Sequence, residues 1–149
     1  MKIKMLFSAL AFMAGSAVAS NNLQPEMIES KYDFQQTVSV LTDTFKSKGM
    51  TIFAQIDHQK AAKEDGLEMQ PATVIIYGSP KAGTPLMVKD PTLALQLPLK
   101  VLITQTDKNR VDVLLNTAEQ VVSHSKTAYS EVENNLGKAE KLIKATISK

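Results

Sequence analysis

Hydrophobic residues three and four positions apart predict two long helices in this chain. The first begins after Asp33, which forms a capping-box pair with Gln36 three residues later, and it ends at Gly49. Its apolar stripe consists of Phe34, Val38, Leu41 and Phe45. A second stripe from Tyr129 to Ile147, with lysines and glutamates between its members, predicts one long amphipathic terminal helix.

Alternating and β-branched runs between these helices predict strands. The predicted strands are 27–31, 51–57, 73–77, 99–105 and 110–115, and a polar connector joins the last two as a hairpin. The alternation in 51–57 predicts that Ile52, Ala54 and Ile56 share one face of the sheet. Residues 58–66 are short and favour a helix.

The order strand, helix, strands, helix predicts an α+β fold. Two long helices separated by a run of mostly antiparallel strands favour a two-layer sandwich, in which both main helices lie on one face of the sheet. The sequence contains no internal repeat and no low-complexity linker. We therefore expect a single domain over residues 20–149.

The segment 78–98 is rich in glycine and proline, which predicts a loop. Its glycines and prolines are Gly78, Pro80, Gly83, Pro85, Pro91 and Pro98. We expect one helical turn from Pro85, capped by Thr84. Backbone N–H groups after a strand can bind an anion, but Lys81 lies inside the loop and does not match a P-loop. A rigid connector explains the same residues, so both interpretations stay open.

The first nineteen residues have the features of a signal peptide. Lys2 and Lys4 precede an apolar run, and Ala17-Val18-Ala19 is a small-x-small cleavage pattern. Cleavage after Ala19 would export the chain to the periplasm or the exterior. The apolar run is shorter than the about 20 residues that span a bilayer, and no later run approaches that length, so no membrane span is expected after cleavage.

Removal of residues 1–19 changes the net charge of the chain. The chain has 17 Lys+Arg against 15 Asp+Glu, and the loss of Lys2 and Lys4 leaves 15 of each. A neutral chain with 5% aromatic residues and no Trp argues against a nucleic-acid partner. The absence of Cys excludes disulfides, thiolate metal sites and a cysteine nucleophile.

Histidine chemistry has two candidates. Asp57 and His58 end a predicted strand, where an imidazole can serve as a base or a metal ligand. Neither His58 nor His124 has a second His or Cys at ligand spacing, so both are weak metal candidates. The sequence contains no Gly-x-Ser-x-Gly elbow, and it assigns no catalytic residue and no cofactor, which leaves enzymatic activity uncertain.

Three stretches carry a resemblance to a known family. They are TIFAQIDH at 51–58, TVIIYGSPKAGTPLM at 73–87 and KDPTLALQLPLKVLI at 89–103. This pattern resembles the bacterial family called domain of unknown function 302. The resemblance implies a TATA-binding-protein-like or helix-grip layout, and it implies no established activity.

The resemblance also implies which residues match the family's motifs. They are Asp57, His58, Gly78, Pro80, Lys81, Gly83, Thr84, Pro85 and Asp90. His124 matches the histidine of the family's Arg-His-Gly, whereas Ser123 and Ser125 replace the arginine and the glycine.

Two main hypotheses follow, with an enzyme ranked third. The first is a module that binds a small ligand or metal between the sheet and the segment 78–90. Its candidate contacts are Asp57, His58, Lys81, Gly83, Thr84 and Asp90. The second is a structural or interaction protein that forms a homodimer without a small-molecule site. The third is an enzyme with His58 as general base, oriented by Asp57 or Asp90.

Overall fold

Alternating side chains in five segments produce one antiparallel sheet. The computed structural model describes residues 24–107 and 109–148, and the predicted signal peptide and its cleavage site lie outside those residues. The strands are β1 (Glu26–Glu29), β2 (Thr51–Asp57), β3 (Ala72–Gly78), β4 (Leu99–Asp107) and β5 (Arg110–Leu115). Their order across the sheet is β1-β5-β4-β3-β2, and every neighbouring pair is antiparallel.

Six α-helices and one 3-10 turn accompany the sheet in the described part of the chain. They are α1 (Phe34–Ser47), α2 (His58–Glu64), α3 (Pro80–Lys89), the 3-10 turn (Pro91–Leu95), α4 (Ala118–Val122), α5 (Tyr129–Val132) and α6 (Leu136–Ile147). The predicted start of the first helix is confirmed, because the Asp33 carboxylate accepts a hydrogen bond from the backbone N–H of Gln36 at 2.8 Å.

The main core lies between the sheet and the helix pair α1 and α6. Helix α1 contributes Leu41 and Phe45 and α6 contributes Ile143 and Ile147, and all four are fully buried. They pack on one sheet face, whose buried members include Ile75, Val101, Ile103 and Val113. Each such aliphatic side chain contributes about 1.5–3 kcal/mol on burial. The predicted α+β two-layer sandwich is confirmed.

A second apolar cluster lies at one end of the sheet. It joins α3, the 3-10 turn, α4, α5 and the start of α6 through Leu86, Leu93, Leu97, Ala118, Val121, Val122, Val132 and Leu136. The register places Tyr77 opposite Leu99, and Leu99 packs against both clusters. The two clusters therefore meet where β3 ends and β4 begins.

The prediction of one terminal helix from Tyr129 to Ile147 is wrong. Helix α5 ends at Val132, the backbone departs from helical dihedral angles at Asn135, and α6 starts only at Leu136. The side chain of Asn135 accepts a hydrogen bond from the N–H of Leu136 and so caps the new helix. Asparagine competes with the helical backbone for hydrogen bonds, which explains a break in an otherwise periodic stripe.

The prediction that Ile52, Ala54 and Ile56 share one face is also wrong. The pairing of β2 with β3 shifts between Ile52 and Ala54, as at a β-bulge. Ile52 therefore pairs with Tyr77 and packs on the main core, whereas Ala54 pairs with Ile76 on the opposite face. One extra residue in a strand reverses the side on which all later residues lie.

The sheet face opposite α1 and α6 carries a row of directly paired apolar residues. This apolar row consists of Met27, Leu114, Leu102, Val74 and Ile56, one from each strand. Its ends are the most exposed, with 55% of Met27 and 40% of Ile56 accessible to solvent.

Candidate functional site

A groove of about 590 Å³ opens where the two apolar clusters meet. Helix α3 forms one wall with Ala82, Gly83 and Met87, and the start of α6 forms the other with Leu136 and Ala139. The ends of the central strands supply the floor, which includes Tyr77 and Leu99. Most of the lining is apolar, which is typical of pockets that bind small organic molecules.

Tyr77 is the most unusual residue of this lining. It is 2% exposed, and its ring stacks on Phe45 with centroids 3.9 Å apart and planes 4° from parallel. Its hydroxyl makes no hydrogen bond to any described residue, and it is not among the fully buried side-chain atoms that lack a partner, so solvent reaches it. Burial, and secondly the charge of Glu140, raise the pKa of Tyr77 above its ordinary value, so the hydroxyl remains protonated.

Glu140 is fixed beside this floor by two contacts. Its carboxylate accepts the backbone N–H of Ala118 at 3.2 Å, and Lys144 Nζ lies 3.3 Å from its other oxygen. Lys144 also lies 2.8 Å from Glu26, and these carboxylates raise the pKa of Lys144. The Glu140 carboxylate is therefore held close enough to Tyr77 for its charge to act on the hydroxyl.

The segment predicted to be a loop with one helical turn from Pro85 is a helix from Pro80. Ser79 lies at its N-cap, Pro80 occupies the first turn, and Pro85 is accommodated inside the helix. Proline fits the first turn because its missing N–H would have no partner there. Because Pro85 has no N–H, one backbone hydrogen bond inside the helix is not made. Such a proline usually ends a helix, but α3 continues through Pro85. Thr84 is thus a helical residue and not a cap.

Helix α3 divides its predicted site residues between two surfaces. Gly83 and Thr84 line the groove, whereas Lys81 is exposed and outside the lining. A Cβ atom on Gly83 would lie 3.8 Å from Leu97 Cδ1 and from Met87 Cε, so glycine keeps the groove open at that point.

Asp90 is buried and holds two segments together. Its carboxylate accepts hydrogen bonds from the Thr92 hydroxyl at 2.6 Å and from the backbone N–H groups of Thr92 and Lys126 at 3.1 and 2.7 Å. The hydroxyl of Thr92, followed by the N–H of Lys126, lowers the pKa of Asp90 below its usual value. These contacts give Asp90 a capping role, and it does not line the groove.

The sheet register separates Asp57 and His58 from the groove. Asp57 pairs with Thr73, whereas Gly78 pairs with Thr51 at the other end of the same two strands. The Asp57 carboxylate caps α2 by accepting the N–H of Lys60 at 2.9 Å, and His58 is exposed. The expected convergence of Asp57 and His58 with the segment 78–90 is therefore not formed, because an antiparallel neighbour reverses the direction of the chain.

His124 is exposed in the turn after α4 and lies outside the groove lining. Among the described residues, no group of three or more His, Asp or Glu side chains is placed to hold a metal ion.

Sequence reasoning missed Tyr77, Leu136 and Lys138 as members of one site. Tyr77 reads as the last apolar position of a strand, and the α6 residues read as part of a core-facing stripe. The start of α6 at Leu136 lines the same groove as α3, and no local sequence pattern predicts that arrangement.

The family model for the domain of unknown function DUF302 matches residues 27–148 of the chain. The chain belongs to this family. A solved DUF302 relative, the crystal structure of an uncharacterized conserved protein from Bacillus stearothermophilus, aligns with a TM-score of 0.69. The alignment covers 83% of this chain and 94% of that one at 15% identity, and it shows a shared fold.

Curated relatives of the chain are longer proteins. Fluoride-specific ion channel FluC 1 of Brucella suis biovar 1 (strain 1330) is 35% identical over 89 residues, which are 60% of this chain and 35% of that protein. Fluoride-specific ion channel FluC 1 of Brucella abortus biovar 1 (strain 9-941) is equally identical, with 33% of its length covered. The chain thus spans about a third of these relatives. In the described residues of this chain, no helix has the length and apolarity needed to cross a membrane.

Proposed function

We propose that this DUF302 domain is a binding module for a small, mostly apolar molecule, which it holds in the groove between α3 and α6. The observation that carries the proposal is the groove itself, with about 590 Å³ of space at the junction of two packed clusters. Protein interiors are normally packed without such gaps, and apolar surface in contact with water is unfavourable. A ligand that covers Met87, Leu99 and Phe53, which is 50% exposed, would gain that burial.

The names of the curated relatives supply no ligand for this groove. Fluoride is a small, strongly hydrated anion, and transfer of a charge into an apolar site is costly unless the site pairs it. The described lining contains one charged residue, Lys138, which is exposed on α6. The lining therefore favours an organic molecule over a hydrated ion.

A fluorescence titration with Nile red tests the proposal. The uncharged dye should bind the purified protein with a blue shift and increased emission. Gly83→Leu and Ala94→Leu should each weaken binding at least tenfold, because both residues line the groove and a leucine side chain would occupy it. Ala61→Leu, on the exposed surface of α2, is the matched control and should bind as the wild type does. Equal binding by all four proteins, or no binding by the wild type, would contradict the proposal.

A second candidate is a homodimer formed through the open sheet face, because the apolar row crosses all five strands. Asp112 beside the row is buried and already paired with Arg110 at 2.8 Å, so apolar contact and not charge pairing supports this candidate. A two-fold axis along the row would bring the apolar rows of two copies face to face. The occupant of this face would then be another copy of the same chain.

Sedimentation velocity over a hundredfold range of concentration tests this second candidate. Ile56→Lys places a charge in the row and should shift the wild-type dimer to monomer. Val88→Lys, on a 78% exposed valine of α3, is the matched control and should leave the dimer intact. A wild-type protein that is monomeric throughout would refute the dimer.

The export of the chain is part of the proposal. The features of residues 1–19 support a signal peptide that is removed after Ala19, so the groove would meet its ligand in the periplasm or outside the cell. Amino-terminal sequencing of the protein from a periplasmic extract should begin at Ser20. An intact Met1 on cytosolic protein would contradict export.

A further inference from the structure

We propose that the groove selects an uncharged ligand with a hydrogen-bond acceptor, such as a ketone, ether or alcohol oxygen, and that the Tyr77 hydroxyl donates to it. This inference rests on the proposed binding function and adds to it the chemical class of the ligand. It makes Tyr77 a specificity-determining residue.

The Tyr77 hydroxyl is available to a ligand. The side chain is 98% buried, it lines the groove, and its hydroxyl has no hydrogen-bond partner among the described residues. Its ring cannot easily turn away, because it is stacked on Phe45 with nearly parallel planes. The hydroxyl is not among the fully buried, unpaired atoms of the described residues, so water reaches it, and a ligand oxygen that replaces this water would accept its hydrogen bond.

The charge that acts on the hydroxyl is negative. The charge of Glu140 on α6 acts on the Tyr77 hydroxyl, and the N–H of Ala118 and the ammonium of Lys144 hold its carboxylate in place. A ligand carboxylate at Tyr77 would be buried close to a like charge, which is unfavourable. The acceptor at this end of the ligand must therefore be uncharged.

The remaining polar lining of the groove offers little to an anion. Ser79, Thr84, Asn135 and Lys138 are the other described polar residues around the groove. Lys138 is exposed, and an ion pair with an exposed lysine contributes little to affinity. An anionic ligand group near Lys138 therefore gains less binding free energy than a neutral acceptor gains at the Tyr77 hydroxyl.

Three probes with the same aromatic body test the inference by isothermal titration. They are 2-acetylnaphthalene, which has a ketone, 2-isopropylnaphthalene, which has no acceptor, and 2-naphthoate, which is a carboxylate. The wild type should bind the ketone roughly two- to tenfold more tightly than the hydrocarbon, as a neutral hydrogen bond allows. It should bind the carboxylate more weakly than the ketone.

Tyr77→Phe isolates the hydroxyl without removal of the ring. This variant should bind ketone and hydrocarbon with equal affinity, and its affinity for the hydrocarbon should equal that of the wild type. Tyr32→Phe, next to the start of α1, is the matched control and should keep the preference for the ketone.

The outcomes separate the inference from the proposed function. Binding of all three probes with equal affinity, or a ketone preference that survives in Tyr77→Phe, would overturn the role of Tyr77 and leave the groove as a binding site. Preferred binding of the carboxylate would overturn the inference that the ligand is uncharged. No binding of any probe or of Nile red would refute the proposed function itself.

Discussion

Replacement of Tyr77 by phenylalanine should stabilise the unliganded domain. The substitution keeps the ring that stacks on Phe45 at 3.9 Å and removes only a hydroxyl that has no partner among the described residues. A fully buried, unsatisfied polar group costs about 1–3 kcal/mol. The Tyr77 hydroxyl is not among the fully buried, unpaired atoms of the described residues, so water reaches it at the groove, and we expect a smaller gain of at most about 1 kcal/mol.

Urea unfolding followed by circular dichroism measures this gain. The midpoint should rise while the dependence of the free energy of unfolding on urea stays constant, and thermal unfolding should shift upward by at most about 4 °C for a domain of this size. Tyr32→Phe is the control, with an expected change within about 0.5 kcal/mol because Tyr32 is only half-buried. Addition of 2-acetylnaphthalene should stabilise the wild type more than Tyr77→Phe.

Destabilisation of Tyr77→Phe by more than about 0.5 kcal/mol would refute this reasoning. Such a loss is the usual cost of a broken internal hydrogen bond. It would mean that the hydroxyl has a partner within the folded chain, so that it would not be free to donate to a ligand.

Further predictions concern the wall of the groove, the capping contacts and the main core. Gly83→Ala should stabilise α3 by about 0.5–1 kcal/mol in thermal unfolding, because alanine favours a helix and its Cβ would meet only ordinary contacts at 3.8 Å; a loss of stability would contradict this. Asp90→Asn should lower the urea midpoint at pH 7, because the carboxylate accepts three hydrogen bonds. Since the pKa of Asp90 is lower in the folded state than its ordinary 3.8, its stabilisation is complete above that value and is lost as the pH falls through the folded pKa. The difference between wild type and Asp90→Asn should therefore shrink on acidification below about pH 4, and a constant difference down to pH 2 would contradict the capping role. Leu41→Ala should cost about 2–5 kcal/mol in urea unfolding, because Leu41 is fully buried in the main core, and a loss below about 1 kcal/mol would mean that the core is loosely packed there.

The sequence was most informative where local pattern and tertiary packing agree. The Asp33 cap and the apolar stripe of the first helix require only residues within the helix, and the structure confirms both. The hairpin of β4 and β5 follows from alternation and a short connector. In these elements the local preferences and the tertiary packing favour the same conformation.

The wrong predictions concern places where one residue changes the course of the backbone, or where tertiary contacts override a local preference. A one-residue bulge after Ile52 moves Ala54 and Ile56 to the other sheet face, and Asn135 divides the terminal stripe. Pro85 disfavours a helix at its position, yet α3 continues through it. None of these outcomes can be deduced from residue spacing alone.

The candidate site was only partly predictable for a related reason. Motif residues identified α3, and two of them, Gly83 and Thr84, line the groove. Asp57 is also a motif residue, but it lies at the end of β2 that is far from the groove. A motif does not reveal the strand register that separates the two. Tyr77 became a candidate only when its burial and its lack of a partner were known.

The most direct test of the central claim is an isothermal titration of 2-acetylnaphthalene into the wild type, Gly83→Leu and Tyr77→Phe. The account predicts binding to the wild type, binding to Tyr77→Phe that is roughly two- to tenfold weaker, and at least tenfold weaker binding to Gly83→Leu. Undiminished binding to Gly83→Leu would place the ligand outside the groove and contradict the account.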